Sequence, residues 1–509
     1  MIHLYSCAYC KKEIADDDQR LDYSPFKGLV HYECHLKDLQ NEASAVKTDF
    51  KPPAWLNELK KIVGTENVIT PTCNRAYYYY RDHSTDFIDL SHGYRPDAIA
   101  LPQIEEQVSG IVELAVSNMV PITPRGAGTG FMGGAVAVKG GIIVDLSSMN
   151  RIKEIDGKNL RLTVEVGVSI EQIEKALQKH GFTLGFDPGS APVATIGGAV
   201  STDQIGLDGW YSNHGSMGRR VLSLRVVLPD GSTVTTGPGL DRAPSTMNLA
   251  SLFIGAEGTL GLITSVTVKI FPIPEIMELR IIRFDSFLSA TKATLDLIRA
   301  GLNPAIHHTA EDIRYEELTE GRELGSTGTI VLGFAGPKNV VDAQITRAIA
   351  ICESHAGNDE GPAAAKAYWS KRHQAFPVNL RNNKIYGLEN IALPINSILE
   401  VYTRFCDITK KHGLRRYYAG FGTNPTTFSF GYIFDNTEAG LKKKTAAMEE
   451  MLAASTQAGG SISAVHGIGI IKRKYFSLEY DKPLLQLMRK VKKALDPNGI
   501  MNPGKSVYD

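Results

Sequence analysis

Between residues 120 and 134 the chain reads VPITPRGAGTGFMGG, with five glycines within Gly126–Gly134 that give the backbone unusual freedom there. The stretch contains Gly128-x-Gly130-x-x-Gly133, the spacing of a dinucleotide-binding turn. That turn needs a helix directly after it, so that the helix N-terminus meets the pyrophosphate. The next residues, AVAVKGGIIVDLSSM, read instead as strand, turn and strand. A Rossmann unit is therefore excluded by context. Two readings stand at this point: an anion-binding loop whose bare amides approach a pyrophosphate, or a glycine-rich hairpin.

The 509 residues predict about three domains. The 55 basic and 55 acidic residues cancel, so no charge excess points to nucleic acid or an anionic membrane. The opening MIHLYSCAYCKKEI lacks a basic start, an apolar core and a cleavage site, and no apolar run approaches the roughly 20 residues of a spanning helix. The six cysteines form no disulfide framework, which predicts a reducing, cytoplasmic setting.

Three textures follow one another. Residues 1–48 are polar and rich in Cys and His. Residues 49–274 carry Gly, Val and Ile, with strand-like LRLTVEVG, RVVLPDG and LITSVTVKIF, and with IEQIEKALQKHG patterned as a helix around Ile170, Ile173 and Leu177. In residues 275–490 helices such as TKATLDLIRAG and SILEVYTRFCDITKKHG alternate with strands such as TGTIVLGFAG and TFSFGYIF. Residues 491–509 end the chain with the tail IMNPGK.

Within the first texture, Cys7-x2-Cys10 and His31-x2-Cys34 are separated by 20 residues. Two such pairs on tight turns close a tetrahedron around zinc, and a site using all four positions is structural. The spacing resembles half of a LIM-type finger, with His35 as an alternative ligand. So small a segment gains from a metal the stability that its core lacks. The other reading is a set of reduced, unrelated cysteines.

The PRGAGTG loop is followed in order by DPGSAPVATIGGAVSTD, GSMGRRVLSLRVVLPDGS and NLASLFIGAEGTLGLITSVTVKI. This series resembles the FAD-binding domain of the vanillyl-alcohol oxidase and p-cresol methylhydroxylase (PCMH) superfamily, and within it the D-lactate dehydrogenase and glycolate oxidase large-subunit group. The resemblance implies an α+β chain: a PCMH-type FAD-binding domain of two subdomains, an α+β ferredoxin-like substrate or cap domain, and a tail that returns to the FAD domain. By that resemblance Arg125, Gly126, Ala127, Gly128, Thr129 and Gly130 cradle the pyrophosphate. Pro188, Gly189, Ser190, Thr195, Gly197 and Gly198 line its second side. Ser201 and Thr202 reach the flavin, Asp203 replaces a usual Asn, and Glu257, Gly258 and Ile263 approach the adenosine half. No histidine occupies the position of covalent attachment, so the FAD is expected to be non-covalent.

The string SISAVHGIGIIKRKY resembles the family's C-terminal signature, in which a histidine is presented to the flavin. His466 is thereby the general base, and Asn502 of the Asn-Pro-Gly-Lys tail a flavin contact. An imidazole, with an ordinary pKa of about 6.5, suits removal of a hydroxyl proton. Metal-using relatives carry two histidines in a strand that corresponds here to YYAGFGTNPTTFSFGYIF, and a glutamate where Val465 stands; all three ligands are missing. Tyr417, Tyr418 or Thr423 then takes over the metal's polarising role, or the chain binds FAD as a non-catalytic or electron-relay subunit. A substrate carboxylate needs a fixed cation. AYWSKRHQAF supplies Trp369 and Arg372, with Lys384 as the second candidate. The expected activity is oxidation of a small D-2-hydroxy acid or related alcohol. Electrons pass to a separate acceptor, an iron–sulfur protein or a quinone, since the chain has neither an iron–sulfur run nor a nicotinamide domain. Homo- or hetero-oligomers are common in such enzymes.

Overall fold

The computed structural model describes residues 51–70, 96–206, 214–241, 245, 247–311, 327–370, 384–423, 426–435 and 437–505. In the first fifty residues it describes only the backbone of two hairpins, Tyr5–Ser6 with Glu13–Ile14 and Leu21–Ser24 with Gly28–His31. Cys7, Cys10 and Cys34, the side chain of His31, and Arg372 lie outside the described residues, as do the side chains of Thr423 and Lys384.

Two sheets build the first large unit. A four-stranded sheet runs in the order Val68–Ile69, Ala98–Ala100, Ile142–Asp145, Ile122–Arg125, its last three strands parallel. A five-stranded antiparallel sheet runs Thr233–Thr235, Val221–Val227, Leu262–Lys269, Arg161–Glu165, Ile152–Asp156. The helix Glu105–Asn118 buries Val108, Ile111 and Val112 in a core that also takes Ile142 and Val144 from one sheet and Val226 and Val266 from the other. Ile170–Gln178 is the helix its apolar spacing predicts. Ser169 and Gln172 close a reciprocal cap at its start, and Ile170, Ile173 and Leu177 are its buried face.

The stretch after the glycine loop departs from expectation. Only Ile142–Asp145 is a strand; AVAVKGG folds as turns, with the Val138 amide on Val136 O and the Gly140 amide on Ala137 O. The fully buried Lys505 donates to Val136 O and holds this segment off any sheet. No helix follows the loop, as the context required.

The second unit is a seven-stranded antiparallel sheet in the order Asn358–Asp359, Ile276–Phe284, Gly328–Gly336, Ile306–Glu311, Arg415–Thr423, Thr426–Asp435, Lys384–Ala392. One face carries Phe428, Phe430, Tyr432 and Phe434, an aromatic row at the strand period of two, against the helices Ile398–His412 and Glu438–Gln457. Toward the far edge the same face packs on Phe287–Arg299 and Lys338–Ser354. The opposite face takes the helix Gly361–Ser370 over Ile281, Ile306 and Val331. Past the helix Lys482–Leu495, the tail re-enters the first unit. There the Ile122 amide donates to Ile500 O at 2.8 Å and the Asn502 amide to Ile122 O at 2.7 Å. Among the described residues no helix is long and apolar enough to cross a membrane.

Candidate cofactor and active site

The strand Ile122–Arg125 ends in the glycine loop, and the loop's shape is set by Arg125. Its guanidinium pairs with the buried Asp145 at 3.2 Å and donates to Gly126 O at 2.9 Å and Ala127 O at 3.1 Å. With the loop's carbonyls turned to Arg125, the amides of Gly126 through Gly130 donate to no carbonyl or side chain among the described residues. Gly128 sits at φ +69°, and a Cβ there would lie 2.6 Å from the Arg125 guanidinium. Five consecutive unpaired amides make a wall for an anion.

That wall bounds a cavity that opens to solvent, about 1220 Å³ with the open space at its mouth included. The second side is formed by Ser190, Thr195, Gly197 and Gly198, where Thr195 caps the short helix Ile196–Ser201 through the Gly198 amide. Ser201, Thr202, Glu257, Gly258 and Ile263 complete it. Pro188 and Gly189 are not part of this lining; Pro188 O accepts from the Ala191 amide at 2.9 Å. The Asp203 carboxylate accepts from the Gly218 amide at 2.8 Å and ties down the following turn.

His466 also lines this cavity. Its loop is stitched to the edge strand Lys384–Ala392, with the Ser461 amide on Ala392 O and the Ala464 amide on Asn390 O. The ring rests on Phe131 at 4.4 Å between centroids. It keeps partial exposure to the cavity, yet desolvation by the surrounding protein, with the Lys472 charge beside it, lowers its pKa to about 3. The imidazole is therefore neutral, with a lone pair able to accept a proton, throughout the ordinary pH range.

Glu257 joins the two halves of the site. Its carboxylate accepts from the Ile468 amide at 2.5 Å and the Gly469 amide at 2.9 Å, two and three residues past His466. Asn502, buried rather than lining the cavity, donates to Glu257 O at 2.7 Å and Gly134 O at 3.0 Å, and accepts from Lys505 at 3.1 Å. Burial pushes the Glu257 carboxyl up; the two amides and Lys505 pull the other way. Glu257, His466 and Asn502 all have left-handed φ, at +50°, +71° and +42°. Each such residue costs of order 1–3 kcal/mol, and their convergence marks a place where geometry outweighs local comfort.

On the face of the seven-stranded sheet away from the aromatic row, His308 Nε2 and Tyr418 Oη are 2.7 Å apart across adjacent strands, above Gly420. Tyr418 and Trp369 pack in one apolar cluster on this face. Farther along it Asn390 donates to Ser429 at 2.5 Å, while Asn390 Oδ1 and Thr427 Oγ1 are buried with no hydrogen-bond partner among the described residues. His307 points to the other face, onto Thr294 and Thr309, and its burial lowers its pKa to about 3. Sequence reasoning left His308 unassigned, and only strand register pairs it with Tyr418. Among the described residues no cluster of three or more His, Cys, Asp or Glu could hold a metal ion.

Comparison with known proteins agrees with this geometry. Residues 96–237 match the family described as FAD binding domain, and residues 273–506 that described as FAD linked oxidases, C-terminal domain. The chain is an FAD-linked oxidoreductase. It is related to the mitochondrial cytochrome-type D-lactate dehydrogenase of Arabidopsis thaliana, with 27% identity over 91% of this chain and 82% of that one. The glycolate oxidase subunit GlcD of Bacillus subtilis is 28% identical over 88% of this chain and 95% of its own length. Among solved structures, p-cresol methylhydroxylase superposes with a TM-score of 0.74 at 17% identity, covering 93% of this chain and 98% of that one. An alkyldihydroxyacetonephosphate synthase gives 0.71 at 22%, over 91% and 86%. These likenesses show the PCMH-type fold of this FAD-linked oxidoreductase, an α+β chain.

Proposed function

We propose that this FAD-linked oxidoreductase oxidises a small D-2-hydroxy acid, or a related alcohol, to the corresponding carbonyl compound. The observation that carries the reading is His466, a neutral imidazole on the wall of the cavity bounded by the unpaired Gly126–Gly130 amides. Those amides and the Ser190–Gly198 side would hold FAD non-covalently, and its flavin N5 would supply the acceptor for the substrate hydride. His466 takes the hydroxyl proton as that C–H bond breaks, so two electrons and one proton leave with the hydride equivalent and the second proton stays on the imidazole. Tyr418, paired with His308, supplies in place of a metal ion the hydrogen bond that polarises the substrate hydroxyl. Arg372, with Lys384 as the alternative, holds the substrate carboxylate near Trp369. The electrons pass to a separate iron–sulfur protein or quinone.

Anaerobic mixing with D-lactate, glycolate, D-2-hydroxyglutarate and sugar acids is expected to bleach the visible flavin band with at least one of them. If none does, the chain is instead an FAD-bearing electron-relay subunit. At the N-terminus, Cys7, Cys10, His31 and Cys34 hold one structural zinc that serves docking or stability. One zinc per chain is expected by metal analysis of protein purified without chelator; less than about a tenth of that overturns the site. A soluble cytoplasmic setting and assembly into oligomers accompany this reading.

A further inference from the structure

We infer that Glu257 is the positioning residue that fixes His466 against the cofactor cavity. The inference rests on the reading of His466 as the proton acceptor.

His466 and Gly467 both adopt left-handed φ, at +71° and +74°, which turns the amides that follow them to one side. Successive amides arranged in this way form a concavity for an anion. Here the occupant is the chain's own carboxylate: Glu257 Oε1 takes the Ile468 amide, and the Gly469 amide donates to Oε2 at 2.9 Å and to Oε1 at 3.2 Å. The approach requires bare backbone on both sides. A Cβ on Gly467 would lie 2.6 Å from Oε1, and one on Gly134, in the glycine loop, 3.0 Å from Oε2. Glu257 therefore lies between the loop that lines the cavity and the turn that carries His466. Its own backbone is held from both ends: its amide donates to Ser201 O at 2.9 Å, and its carbonyl accepts from Asn502. A further tie, the Ile470 amide on Met132 O at 2.9 Å, runs between the same two segments.

A carboxylate gives each amide its own close acceptor. A glutamine keeps one oxygen, which the Gly469 amide reaches only at 3.2 Å, and sets an NH₂ where that amide now has its closer acceptor at 2.9 Å. The turn can then relax away from Phe131, and the imidazole with it. The reacting atoms tolerate little displacement, since misplacement by about 1 Å costs about 100-fold in rate. Because the amide pair is already occupied, a substrate carboxylate has no access to it and must use a cation elsewhere.

The test is a double-mutant cycle on flavin reduction, in FAD-loaded protein, with the substrate that bleaches it fastest. Glu257→Gln is expected to slow reduction 10- to 100-fold at saturating substrate and saturating FAD, counted per bound flavin, with KM changed less than threefold. In a His466→Ala background the same change is expected to cost less than twofold, because Glu257 acts through that ring. An equal loss in both backgrounds, or loss of FAD with the rate per bound flavin unchanged, overturns the inference. Glu257→Asp keeps the charge but shortens the reach, and serves if the glutamine variant does not fold; it is held to the same cycle. Hydrogen exchange at residues 464–470 reads the clasp without any substrate. Exchange of the Ile468 and Gly469 amides should rise at least tenfold in either variant, and unchanged protection overturns the clasp. Raised exchange together with a flavin that nothing bleaches overturns the hydroxy-acid reading alone.

Discussion

Replacing His466 with alanine is expected to slow anaerobic flavin reduction by about 10²- to 10⁴-fold, the usual contribution of a positioned general base, while FAD stays bound. Binding should survive because most of the cavity's lining comes from residues 124–135, 190–204 and 257–263, which the change leaves in place. Stopped-flow absorbance reads the rate and the bound flavin together. An unchanged rate would remove His466 from the chemistry. The pH dependence of the wild-type rate is a second measure of the same ring. With its pKa lowered to about 3, the proton-accepting form persists from the ordinary value near 6.5 down to about 3. No acid limb assignable to His466 is therefore expected near pH 6.5, and a limb there that vanishes in the alanine variant would contradict the desolvation described. The sign carries over to stability. A histidine held neutral by the fold stabilises above its unfolded pKa, and that contribution is lost as pH falls from about 6.5 toward 3.

Gly128→Val is expected to weaken FAD binding by at least 100-fold and to yield nearly colourless protein, as read by flavin fluorescence titration. A branched residue at φ +69° is strained whatever its surroundings, and its Cβ would displace the Arg125 guanidinium. Arg125 is what keeps the Gly126 and Ala127 carbonyls turned away from the cavity. Losing that orientation costs the amide wall as a unit rather than one contact. Thermal unfolding of the FAD-free proteins separates the cofactor effect from a global one: the two apo proteins should melt within a few degrees of each other, since this loop lies outside the apolar core. Wild-type affinity in the variant would show that the loop does not hold the cofactor.

Much of this was legible in local patterns, for a physical reason. The spacing of Ile170, Ile173 and Leu177 dictates a helix, and the alternation in TFSFGYIF dictates a strand, because each element must hide one apolar face. The glycine loop is legible because its freedom of φ is a property of the residues themselves. Its failure to lead into a helix was likewise evident from AVAVKGG, although the same letters overstated strand content. What holds that segment is Lys505, which is more than 360 residues away in sequence. Arg125 shows the boundary well. Its place beside the loop follows from sequence, whereas its role as organiser of the loop follows from Asp145, which a parallel strand pair sets beside it.

The sequence by itself determined that residues 126–134 have the backbone freedom of a glycine-rich loop, a property of the residues themselves, and the resemblance of SISAVHGIGIIKRKY to a family signature singled out His466. Only the tertiary structure decided which residues face the turn that carries His466. Glu257 lies more than 200 residues from the amides it holds. His308 meets Tyr418 through strand register. Such pairings are set by how sheets and loops pack together, and no periodicity along the chain encodes them.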